Sequence, residues 1–175
     1  MIMDFAFLRR LAVMAVILAI QVLLLNNIHL FDCITPLLIG YMIIYTRRGA
    51  SRIGVMLVGF FVGLLFDMFS NTLGMGAASC TLLAFVQPSL LGIFTPRDAA
   101  DDFEPGMHTM GIWLYAAYLF SSMLVLHATF YILEAFSVSD WRMALMAIFG
   151  GTVLSTAIVF ICESITSNQR GILNR

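Results

Sequence analysis

Asp67 is the residue of this chain whose type and position most plainly demand a chemical explanation. It closes the apolar stretch Gly59–Asp67, and a carboxylate at the end of a membrane helix is costly unless water or protein satisfies it. Gly59 and Gly63 lie on the same helical face as Asp67, each one turn from the next. Paired glycines let a second helix bring its backbone close to that face. The polar, glycine-rich run Ser70-Asn71-Thr72-Leu73-Gly74-Met75-Gly76 then breaks the helix before another apolar run begins. Gly59, Gly63, Asp67, Phe69, Ser70, Asn71 and Gly74 are therefore the candidates for a corner that locks helices together or receives a partner helix.

A second group is spread along the chain. His127, Tyr131 and Glu134 fall on one face of a helix, and Gln21 sits in the outer half of the first apolar run. Together they read either as a small polar site opening outward or as hydrogen bonds between helices, each on the order of 1 kcal/mol. The second reading is the stronger. No second histidine shares the helix of His127, so a metal site is not expected there. Gln87-Pro88 sits near the middle of an apolar run, where proline removes a backbone donor and frees the carbonyl near Ala84. A kink is expected, with Gln87 as a local hydrogen-bond partner.

Enzymatic patterns are missing. There is no G-x-S-x-G elbow, H-E-x-x-H pair or phosphate-binding loop. Asp32 and Asp67 would be the components of an aspartyl dyad, but neither lies in a local pattern associated with intramembrane proteases. Cys33, Cys80 and Cys162 are isolated, form no C-x-x-C and read as small buried hydrophobes. No catalytic residue, cofactor or metal is expected.

These residues must be positioned by membrane helices. The 175-residue chain is 61% hydrophobic and 11% charged, against roughly 25% charged in soluble domains. Apolar runs long enough to cross a bilayer, about 20 residues each, place helices at about 7–25, 29–45, 53–69, 77–94, 111–133 and 143–162. The second, with its apolar part at Ile34–Tyr45, is short; it is completed by residues near His29, tilted or re-entrant. Arg9-Arg10 precedes Leu11–Leu25, but the run ends in Asn26-Asn27 without a cleavage site, which reads as an uncleaved first helix.

All nine basic residues are arginine. With both termini inside, six spans put Arg9, Arg10, Arg47, Arg48, Arg52, Arg97, Arg170 and Arg175 in the cytoplasm and only Arg142 outside, a strong positive-inside pattern. That pattern favours a spanning second helix. The expected fold is all-α, a single polytopic six-helix bundle over 1–175. Trp113, Tyr115, Tyr118 and Trp141 read as interface anchors or packing. The longest loop, Thr95–Met110, carries Asp101, Asp102 and Glu104, a solvated linker or a docking surface for a basic partner. With no basic stripe, nucleic acid is not an expected partner.

The run Asp67-Met68-Phe69-Ser70-Asn71-Thr72-Leu73-Gly74-Met75 resembles the D-x-F-S-N-T-x-G-M signature of the rod shape-determining MreD family. Gln21–Asn27, Thr35–Leu38, Phe94–Asp98, His127 and Glu134–Ser137 follow that family's order as well. The resemblance implies a non-catalytic, multi-pass protein of the bacterial inner membrane that binds an MreC-like single-span partner. Through it the protein would join a RodA-like glycosyltransferase, a class B penicillin-binding protein and an MreB-like actin in cell-wall elongation. MreD-like proteins also resemble vitamin-binding transporter subunits in fold, so a small-solute-binding membrane subunit is the rival expectation.

Overall fold

A computed structural model describes Gln21 and residues 36–72, 74–96, 99–138 and 141–173, with the side chains of 136–138 and 165–173 outside that description. The described residues form helices and no strands: α1 (Tyr41–Ile44), α2 (Arg52–Ser70), α3 (Met75–Phe94), α4 (Met107–Met110), α5 (Ile112–Val138) and α6 (Trp141–Leu173). Four stretches are long and apolar enough to cross a membrane, at Arg52–Ser70, Met75–Phe94, Ile112–Ala135 and Trp141–Ser164. They correspond to the last four expected spans. The expected first helix, 7–25, lies outside the described residues except for Gln21, which is helical.

The expected second helix does not form over its described part. Pro36–Gly40 is irregular and only Tyr41–Ile44 is helical. Such backbone is tolerated at membrane depth where protein surrounds it, and this segment is surrounded: Leu37, Ile39, Ile43 and Ile44 are fully buried. A methyl on Gly40 would stand 2.8 Å from Leu126 and 3.0 Å from Leu83. The segment is thus wedged between α3 and α5, while Ile43 reaches the α2 face at Gly59.

α5 is the axis of the bundle. It is apolar all round, as a helix packed on several sides should be, and it buries Tyr115, Tyr118, Leu119, Met123, Leu126 and Phe130. α3 and α6 pack against it, and α2 packs on α3. Trp113 and Trp141, at the starts of α5 and α6, are exposed as interface anchors would be, whereas Tyr115 and Tyr118 are fully buried. Cys80 is buried as expected; Cys162 is exposed, and Cys33 lies outside the described residues.

Local sequence sets the helix ends. Ser51 accepts the Gly54 N–H at 3.4 Å as N-cap of α2. At the other end Asn71 adopts φ 56°, a left-handed stop that asparagine tolerates well. Gly74, with φ 79°, then turns the chain into α3. The linker after α1 is held by the 96–103 loop. Arg48 N–H donates to Phe103 O at 3.0 Å and Gly49 N–H to Asp101 O at 2.7 Å. The Arg48 guanidinium covers the carbonyls of Pro96 and Ala99, each at 3.2 Å.

Candidate functional site: a capped corner and a buried irregular segment

The α2–α3 corner is built from backbone contact. A Cβ on Gly63 would lie 2.4 Å from the Gly76 carbonyl oxygen and 2.6 Å from the Ala77 Cα. One turn earlier, a Cβ on Gly59 would lie 2.9 Å from the Cys80 carbonyl oxygen. Neither contact can be relieved by rotating a side chain. Both glycines therefore serve packing within the bundle, the first of the two uses open to a G-x-x-x-G pair.

Asp67 completes the corner and is only 5% exposed. Its Oδ1 accepts from the Gly76 N–H at 2.8 Å and from the Thr72 hydroxyl at 2.5 Å; its Oδ2 accepts from the Ala77 N–H at 2.9 Å. Gly76 and Ala77 belong to the first turn of α3, whose N–H groups have no partner within the helix. The carboxylate of one helix thus caps the next, where the helix dipole also favours negative charge. Of the two components of the aspartyl dyad considered from sequence, Asp67 is held by donors of the α2–α3 hairpin and Asp32 lies outside the described residues.

The neighbouring candidates divide. Asn71 and Gly74 adopt positive φ in the turn. Ser70 is half-buried, and its hydroxyl has no partner among the described residues. Phe69 does not join the locking corner; it is 63% exposed on the outer face of α2, because the helix rotates it away from the Gly59–Gly63–Asp67 side.

Gln21 and His127 converge on the irregular segment. The Gln21 amide donates to Pro36 O at 2.9 Å and accepts from Leu38 N–H at 2.7 Å. His127 Nε2 lies 3.4 Å from Leu37 N. Its Nδ1 faces the Met123 carbonyl at 2.9 Å, so Nδ1 carries the proton and Nε2 accepts from Leu37 N–H and from the Ser155 hydroxyl at 3.3 Å. Both side chains are fully buried. They satisfy backbone that no helix satisfies, so their hydrogen bonds run largely to the irregular segment and not from helix to helix. Tyr131 stacks on His127 with ring centroids 6.1 Å apart, and Glu134 is half-buried farther along α5.

The other end of the segment is covered in the same way. The Tyr118 hydroxyl donates to Ile44 O at 2.8 Å, and the Gln87 amide donates to Thr46 O at 3.2 Å and to the Tyr118 hydroxyl at 3.1 Å. Gln87 is therefore not the local partner expected for the proline-freed carbonyl. It reaches across to another part of the chain, and α3 continues as helix through Pro88.

Sequence reasoning missed Glu163. It is 7% exposed near the end of the α6 span, with the hydroxyls of Tyr41 and Tyr45 each 3.4 Å from its carboxylate. A glutamate following a long apolar run was the available signal. Compared with known proteins, the chain matches no family model, no curated protein and no solved structure.

Proposed function

We propose that this protein is a non-catalytic membrane scaffold of the MreD type, holding an MreC-like single-span protein within the cell-wall elongation complex of the bacterial inner membrane. In this reading both termini are cytoplasmic. The RodA-like glycosyltransferase, class B penicillin-binding protein and MreB-like actin are reached through the complex rather than bound by a catalytic centre here.

One observation carries the reading. Around the corner and the irregular segment, interior polar side chains are committed to the protein's own backbone, while the outer face of α2 is apolar and aromatic. Phe61, Leu64, Leu65, Met68 and Phe69 are all exposed there, beside the Asp67–Met75 run. Contacts made by that face, not chemistry inside the bundle, are what such an arrangement offers a second membrane helix.

The test is co-expression with an MreC-like partner followed by purification in detergent. A stoichiometric complex is expected, lost when Phe61 and Met68 are changed to alanine while the melting temperature of the protein alone is unchanged. A monomer that retains a bound small molecule would instead support the solute-binding subunit.

A further inference from the structure

Among the described residues, the buried carboxylate of Glu163 has no cation beside it. Among them it meets only the Tyr41 and Tyr45 hydroxyls. An uncompensated charge in so dry a place is strongly unfavourable. Both contacts are long for charge-assisted hydrogen bonds. An O–H···O⁻ bond measures about 2.5–2.7 Å, whereas both distances here are 3.4 Å.

Two further observations converge on the same place. Tyr115 is fully buried and, among the described residues, its hydroxyl has no hydrogen-bond partner; its electrostatic neighbours are Glu163, Tyr41, Tyr45 and Tyr118. Gly106 is buried beside the cluster, in an extended conformation (φ -175°) that any residue adopts. Its glycine identity is therefore not a backbone requirement. The three atoms nearest to a methyl group built on it would all be oxygens, those of Thr109 and Tyr45 at 3.7 Å and Glu163 Oε1 at 3.8 Å. Glycine leaves an oxygen-lined niche of about that size.

We propose that Glu163, Tyr41, Tyr45 and Tyr115, together with the niche at Gly106, bind a small monovalent cation of the sodium, potassium or ammonium class. One carboxylate balances one positive charge. A divalent ion would keep a net charge in the same dry surroundings, and among the described residues no group of three acidic, histidine or cysteine side chains gathers to hold one. The site is independent of the scaffold reading.

The full chain, purified in detergent, is melted in sodium, potassium, ammonium and N-methylglucamine chlorides at equal ionic strength. At least one of the three small cations should raise the melting temperature saturably, on the order of 5 °C at a hundredfold excess over its dissociation constant. Which cation does so distinguishes the sources. Gly106→Ala fills the niche without a clash, so it should melt like the wild type in N-methylglucamine and lose the shift. Glu163→Gln should lose the shift as well. If that variant fails to fold, Gly106→Ala and direct binding of radioactive sodium or rubidium to the wild type decide. Equal melting in all four salts, with no bound ion, would mean that water or a proton satisfies these oxygens and would overturn the proposal. A shift that survives Gly106→Ala undiminished would place the ion elsewhere and overturn it too.

Discussion

Asp67 Oδ1 accepts the Gly76 N–H at 2.8 Å, and a Cβ on Gly76 would stand 2.7 Å from that same oxygen. The hydrogen bond and the missing side chain are two aspects of one close approach. Asp67→Leu removes the acceptor for two backbone N–H groups and a hydroxyl, so a loss of about 2–4 kcal/mol is expected. Asp67→Asn keeps one oxygen and should lose less. Gly76→Ala should resemble Asp67→Leu, although it leaves the carboxylate in the chain. Thermal melting in detergent ranks the three; equal stability of Asp67→Leu and wild type would refute the cap.

The glycine contacts predict an order. Gly63→Ala forces Cβ against backbone at 2.4 Å and Gly59→Ala at 2.9 Å, whereas nothing lies within 4 Å of the Cβ position on Gly92. Gly63→Ala should therefore be the most destabilising, and Gly59→Ala milder. Gly92→Ala should be neutral or stabilising by up to about 1 kcal/mol, since it gains helix propensity without a clash. The same melting series checks the order.

Gln21→Leu and His127→Leu each strand buried backbone of the Pro36–Leu38 segment. A loss of about 1–3 kcal/mol per variant is expected. Because both side chains hold one short segment, the double variant should depart from additivity. Hydrogen exchange at Leu37 and Leu38 is the specific readout. Exchange there should accelerate in either variant before the helices are affected.

Asn71 holds φ 56° at the end of α2. Asn71→Gly should be tolerated, while Asn71→Val should cost about 1–2 kcal/mol, because a β-branched residue is strained in the left-handed region. Equal melting temperatures for the two variants would show that the turn relaxes.

The corner was legible in the sequence because everything that builds it lies within one hairpin. Spacing alone put Gly59, Gly63 and Asp67 on one face, and the Asn71 and Gly74 turn announced itself by residue type. The path of 36–45 was not legible. Arginine bias constrains which end of a bundle a charge occupies, yet it is silent on whether the backbone between two ends is helical. The only hint was that Ile34–Tyr45 is short and begins near a proline. Gln21, Gln87 and His127 were recognisable as buried polar groups, but their partners are backbone atoms far away in the chain, which periodicity does not pair. Glu163 was missed for a related reason. It follows a long apolar run, where a boundary residue facing water is the ordinary expectation, and its burial depends on tyrosines of the Tyr41–Tyr45 segment.

The carboxylate of α2 finds its donors in the first turn of the very next helix, so the 52–94 hairpin satisfies its buried acidic group by itself. During synthesis this pair can leave the translocon and enter lipid as one insertion unit, with its acidic group already shielded, before the ribosome has made α5 or α6.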